Sequence, residues 1–278
     1  MSNQEPVINM NNYRYPNEQV ILFGTVFLIL VVLLLAAGTT LCVLPLFFLV
    51  ILILSYATSQ SHHRALIAQA KHVTSESLPS LAKLAQECAR KLQPGPIQLF
   101  VVPSRILNAY TFGLENPKVI VLYSSLFQVM DADELRFIIG HEMGHAALGH
   151  TWLNTLLGGM AGVPPSFGAA ILFALAFRLW NRACEYSADR AGLLACGRLD
   201  KAISALVKLV DTRIDTPEEM KEALEILEQQ DDTLEGMLIE STATHPLIGN
   251  RIEKLREWAA SSEYQRLQAL INRNATKI

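Results

Sequence analysis

The chain has 278 residues, with 23 Lys+Arg against 26 Asp+Glu and a formal net charge of -3. That balance leaves no basic footprint for nucleic acid, and a hydrophobic share of 51% is too high for a disordered chain. The length suits one or two domains, but the charge is unevenly spread: no Lys, Arg, Asp or Glu occurs from Val20 to Ala57.

Residues 1–19 read as an N-terminal tail carrying only Glu5, Arg14 and Glu18 as charges. One helix over the whole apolar run would be about 57 Å long, too long for a hydrocarbon core of about 30 Å. Breakers at Gly38-Thr39-Thr40 and Pro45 divide it into Val20–Ala37 and Leu41–Ala57, which predicts a transmembrane hairpin over 20–57. A cleaved signal peptide fits less well, because the leader is slightly acidic and the run far exceeds its usual apolar length. Cations flank the hairpin outside its turn (Arg14 before, Arg64 and Lys71 after), which leans both ends to the cytoplasm.

The rest, 58–278, reads as one globular domain. Ser61 to Leu92 is predicted helical with a break near Thr74–Pro79. Three β-rich runs follow, Ile97–Val102, Ile106–Phe112 and Lys118–Tyr123, suggesting a small sheet or meander. Asp131 with Glu134 three residues later has the pattern of a capping box, so a helix should run from there to about His150. The uncharged stretch Thr151–Phe177 carries glycines and prolines and reads as a buried loop or a membrane-dipping lid. A second long helix is expected from about Phe167 to Cys196, ended by Gly197. The fold class is therefore mainly α with a small β-sheet (α+β). Four cysteines without paired spacing point to reduced thiols. His62, His63 and His72 form no i, i+4 pair and read as membrane-proximal surface residues.

The sharpest pattern is His141-Glu142-Met143-Gly144-His145. Residues four apart share a helix face, so His141 and His145 can bind one ion, with Glu142 placed to take a proton from a water on that ion. A catalytic zinc needs a third protein ligand. Counted at 100° per residue, His150 lies about 180° from His141 and cannot reach the same ion; it reads as a helix-end histidine favoured by the macrodipole. Glu185, within Glu185-Tyr186-Ser187-Ala188-Asp189, is the best carboxylate candidate, and Asp189 one turn later could accept the spare N–H of a ligating histidine. The alternative is a solvated helix face, since Arg178, Arg182 and Arg190 lie near enough for surface ion pairs.

Together these two motifs resemble the HtpX-type membrane zinc metallopeptidases, a gluzincin family whose wider membership includes the CAAX prenyl endopeptidases. Asn108-Ala109-Tyr110 resembles the family's Asn-Ala-Phe stretch on the strand beside its cleft, with Tyr in place of Phe. Thr244-His245-Pro246 with Arg251 resembles its C-terminal His-Pro…Arg motif. The resemblance implies a zincin-like metallopeptidase domain behind the hairpin and one Zn2+ per chain, held by His141, His145 and Glu185. It further implies Glu142 as general base and His245 near the oxyanion, with Arg251 orienting substrate or a carboxylate behind the ligands, unless it forms a surface salt bridge. The family usually carries two more apolar spans after this helix; here neither half of Thr151–Phe177 reaches about 18 apolar residues, so two spans are expected in all.

The expected activity is hydrolysis of unfolded or membrane-associated proteins, for quality control, at a bacterial inner membrane with the catalytic domain on the cytoplasmic side. Its partners would be protein or peptide substrates and the lipid bilayer, with no nucleic acid. The strand around Asn108–Phe112 could pair with an extended substrate by edge addition, with Asn108, Ala109 and Tyr110 as the substrate-binding residues. Two other readings keep parts of this: a prenyl-protein (CAAX-type) processing protease, and a zinc-stabilised membrane scaffold without catalysis, against which the presence of Glu142 argues.

Overall fold

A computed structural model of the chain describes residues 10–39, 43–152, 155, 177–210, 216, 218–219, 222–223 and 248–275. Two long apolar helices come first, α1 (Glu18–Thr39) and α2 (Val43–Ala68). Both are long and apolar enough to cross a membrane, and they leave Phe23, Phe27, Leu34 and Phe47 exposed. α2 continues to Ala68, past the expected end of the second span. Its extension carries His63, which is buried and stacks on Phe112 with ring centroids 3.8 Å apart, so the surface reading of that histidine is corrected. The Phe112 ring offers the imidazole a stacking contact, while His63 Nδ1 is buried without a hydrogen-bond partner among the described residues.

The other elements are β1 (Lys71–His72), α3 (Pro79–Leu92), β2 (Ile97–Val102), β3 (Ala109–Phe112), β4 (Lys118–Tyr123), α4 (Leu126–Val129), α5 (Ala132–Leu148), α6 (Arg178–Cys196), α7 (Leu199–Lys208), α8 (Ile248–Ala259) and α9 (Ser262–Ala275). The fold is thus mainly helical with one small sheet, as expected. The sheet order is β1-β2-β4-β3, with β4 parallel to β2 and antiparallel to β3, so it is not a simple meander. The second run, expected over Ile106–Phe112, begins as strand only at Ala109, which leaves β3 short and at the sheet edge.

α5 is the central element. Its capping box forms as the sequence indicates: Asp131 Oδ1 accepts from the N–H groups of Asp133 and Glu134 (2.9 and 3.0 Å), and the Asp131 N–H donates to Glu134 Oε2 at 2.8 Å. Leu135, Phe137, Ile138, Ile139 and Met143 are all buried, because the helix is covered by β3, β4 and α3 as well as by α6. A helix apolar on every side must be covered on every side.

Where α5 crosses α6 the two backbones nearly touch. A methyl group added at Gly140 would lie 2.4 Å from Ala195 Cβ, one at Gly144 would lie 2.7 Å from Ala191 Cβ, and one at Gly192 would meet Phe137 at 2.8 Å. Small residues on both helices therefore set the crossing distance, and that distance decides whether a side chain of α6 can reach the histidines of α5.

The N-terminal tail is also part of the core. Tyr13 is fully buried, Arg14 donates to the Leu148 carbonyl at 3.1 Å, and the Tyr15 N–H donates to Ser187 Oγ at 2.7 Å. Phe177, Trp180 and Cys184 of the α6 region pack against Ile21, Leu22, Val26 and Ile29 of α1. Cys88, Cys184 and Cys196 are free, buried thiols, in keeping with the reduced reading. The lid expected over 151–177 and the start of the second long helix at Phe167 fall almost wholly outside the described residues.

Candidate metal centre

His141 and His145 project from one face of α5 with their Nε2 atoms 3.1 Å apart. From α6, Glu185 places Oε2 at 3.5 Å from His141 Nε2 and Oε1 at 3.4 Å from His145 Nε2. A tetrahedral ion with bonds of about 2.0–2.1 Å holds its ligand atoms about 3.3–3.4 Å apart. Each ring nitrogen faces its own Glu185 oxygen at close to that spacing, and one ligand atom from each of the three residues lies within 4.8 Å of the others, so this donor set is of the right size for a small divalent cation.

The surroundings prepare the donors. Asp189 Oδ1 lies 3.0 Å from His141 Nδ1. A carboxylate can only accept, so the proton sits on Nδ1 and Nε2 keeps its lone pair, aimed where Glu185 and His145 converge. Arg251 holds Asp189 in turn through Nε (2.8 Å) and Nη2 (2.6 Å), and its Nη1 lies 3.1 Å from Glu185 Oε2. Burial would raise the Asp189 carboxyl, but the Arg251 guanidinium beside it outweighs that and holds its pKa below the ordinary value. Arg251 is itself buried, so the surface-salt-bridge reading fails for it. Removing one partner of such a buried pair typically costs about 3–5 kcal/mol.

Burial works to lower the His145 pKa, yet the Glu185 carboxylate more than offsets it and the ring titrates above its ordinary value. The field that attracts a proton there also attracts a metal cation, and the two compete for the same nitrogen.

Glu142 is buried beside these groups. Its Oε2 accepts from Thr111 Oγ1 at 2.6 Å, and the same hydroxyl lies 3.1 Å from the Glu142 carbonyl oxygen. Thr111 is a site residue that the sequence reading missed; the signal was a polar side chain inside an otherwise apolar strand. Thr111→Val keeps the shape and removes the donor. A bond to a charged group is worth about 1.5–3 kcal/mol, so turnover that uses the Glu142 carboxylate is expected to fall about tenfold or more in steady-state kinetics.

Of the expected strand residues, Ala109 and Tyr110 lie on β3 and Asn108 immediately precedes it. The Asn108 carbonyl accepts from the Tyr123 N–H at 3.0 Å. By antiparallel alternation from that bond, the main-chain groups of Ala109 and Thr111 face away from β4, along the free edge. The Tyr110 side chain is buried against His63, Phe112 and Tyr123. It is the next residue, Thr111, whose side chain reaches Glu142. His245 lies outside the described residues.

His150 departs from its expected role. It is buried, and burial pushes its pKa down to about 4, so the neutral ring gains nothing from the helix macrodipole. As expected it is not in the group with His141, but its Nδ1 stands 2.9 Å from His145 Nδ1.

The model of "Peptidase family M48" matches residues 75–259. The chain belongs to peptidase family M48. It is 30% identical over 221 residues to the plastoglobule-localized metallopeptidase 48 of Arabidopsis thaliana chloroplasts, a match covering 73% of this chain and 64% of that protein. It is 24% identical over 217 residues to Protease HtpX of Acinetobacter baumannii, covering 65% of this chain and 70% of the relative. A solved structure, Ste24p of S. mikatae, is similar over 84% of this chain and 57% of its own, with 20% identity and a TM-score of 0.39. M48 is a family of metal-dependent peptidases, and its relatives bear out the HtpX-type resemblance. The M48 match begins after α1 and α2 and contains His141, Glu142, His145, Glu185, Asp189 and Arg251.

Proposed function

We propose that this chain is a membrane-anchored zinc endopeptidase that hydrolyses peptide bonds of unfolded or membrane-associated proteins. The observation that carries this reading is the convergence of His141, His145 and Glu185 at a spacing suited to one small cation, with Glu142 next to His141 on the same helix and held by Thr111. In this reading 1–19 is the tail, 20–57 a transmembrane hairpin and 58–278 the peptidase domain, with both ends on the cytoplasmic side of a bacterial inner membrane. The charge-free run and the flanking cations support that orientation.

His141, His145 and Glu185 would hold one Zn2+. When bound, the ion supplies Lewis acidity toward a water and the scissile carbonyl. Glu142 takes the proton of the attacking water and delivers it to the leaving amine. Thr111 keeps that carboxylate in one rotamer between the two transfers. His245 donates to the carbonyl oxygen as negative charge develops there. Arg251 acts through Asp189, fixing the proton of His141 on Nδ1. The free edge of β3 pairs with the main chain of an extended substrate, which suits unfolded segments because those bonds ignore side-chain identity.

The test is cleavage of an unfolded casein by the full-length protein purified in detergent. Cleavage should stop on chelation and return with stoichiometric zinc. Undiminished cleavage by protein stripped of metal would refute the assignment.

A further inference from the structure

A second set of buried polar groups lies behind His145, on the side away from Glu185. α5 ends at Leu148, and Gly149 adopts a left-handed conformation (φ 77°) that turns the chain back on itself. That turn brings the His150 ring against His145, Nδ1 to Nδ1, at 2.9 Å. The other nitrogen of His150, Nε2, lies 3.1 Å from Oε1 of Glu18, the first residue of α1. Glu18 also pairs with Arg14 and accepts a hydrogen bond from Ser187. Glu18, His150 and Ser187 are each at most 1% exposed. A buried carboxylate is costly unless it is paired and hydrogen-bonded, and Arg14, Ser187 and His150 supply those partners to Glu18.

We propose that Glu18 and His150 are positioning residues for the metal centre, forming a relay through which the first membrane helix sets the tautomer of His145. The inference rests on His145 ligating through Nε2, as read above. With the metal on Nε2, the His145 proton is on Nδ1 and is donated to His150 Nδ1. His150 then carries its own proton on Nε2 and donates it to the Glu18 carboxylate. Every donor along the relay from His145 to Glu18 meets an acceptor, and each ligating histidine is backed by a carboxylate: Asp189 directly for His141, Glu18 through His150 for His145. Because Glu18 belongs to α1, seating of that helix on the peptidase core becomes a condition for tight metal binding.

The same residues also resemble a second metal site, since Glu18, His150 and Cys184 place one ligand atom each within 4.8 Å of one another. Proton placement argues against it. A metal on His150 Nε2 would force the His150 proton onto Nδ1, opposite the Nδ1 proton of His145, and two donors would face each other at 2.9 Å.

The test is zinc affinity of the full-length protein in detergent, by competition with chelators of graded strength. His150→Leu and Glu18→Leu are each expected to weaken zinc about 10–100-fold, the range for groups that orient a ligand. His150→Gln, which can still accept and donate, should stay within about threefold. Zinc-induced thermal stabilisation should shrink in the two leucine variants even where the metal-free midpoint also drops. Affinities unchanged in folded leucine variants would overturn the relay while leaving the metal reading intact, whereas a wild type that binds no zinc would overturn the metal reading itself. If the variants fail to fold, nitrogen-15 histidine spectra of the zinc-loaded wild type decide. His150 protonated on Nε2 supports the relay; protonation on Nδ1, or two zinc ions per chain, overturns it.

Discussion

Glu142→Gln is expected to bind zinc with wild-type stoichiometry and to lose about 10²–10⁴-fold in kcat, the usual contribution of a positioned general base. The amide has the size of the carboxylate and still accepts from Thr111 Oγ1 at the position where that hydroxyl now stands 2.6 Å from Oε2. It cannot take a proton from water. The proposed ligands His141 and His145 are the residues before it and three after it, so their geometry should persist. Steady-state cleavage of an unfolded protein, with metal content measured on the same sample, checks both halves. Full activity with metal retained would remove Glu142 from the chemistry.

Glu185→Ala should fail differently. It deletes the only donor in the trio that comes from α6, so zinc affinity is expected to drop at least 100-fold, beyond the effect of an orienting group, and activity should follow occupancy. The variant also deprives Arg251 of the carboxylate 3.1 Å from its Nη1 while Asp189 still holds Nε and Nη2. The fold should therefore survive with a moderate loss of stability. Metal analysis after dialysis against a buffered zinc concentration separates this variant from Glu142→Gln: one empty and inactive, the other loaded and inactive. Wild-type occupancy in Glu185→Ala would exclude Glu185 as a ligand.

The parts of this site that were legible in the sequence obey local rules. The i, i+4 spacing of His141 and His145 and the Asp131 capping box depend on a few neighbouring residues, and both stand as expected. Glu185 needed more, because nothing local separates a ligand from a solvated glutamate. What brings it to the histidines is the close crossing at Gly140, Gly144 and Gly192; the spacing of four between Gly140 and Gly144 marks a close approach but does not name the partner helix. Arg251 arrives from α8, on the far side of residues 211–247, so its pairing with Asp189 is invisible to spacing.

His150 shows how a sound rule reaches its limit. Counting 100° per residue is valid only while the helix continues, and Gly149 has already left it. The docking of Tyr13, Arg14 and Glu18 onto the peptidase core had no precursor in composition either, because a short tail with three charges looks like solvent-exposed chain. Thr111 was hidden for the opposite reason: a hydroxyl in a β-branched residue fits any strand, and only its neighbour across the fold gives it a task.

The most direct measurement is zinc K-edge X-ray absorption on the loaded full-length protein. The predicted spectrum has a first shell of nitrogen and oxygen only, near the 2.0–2.1 Å typical of such ligands, with outer-shell scattering from two imidazoles. A sulfur neighbour at about 2.3 Å, or scattering from a single imidazole, would mean that His141, His145 and Glu185 do not hold the metal.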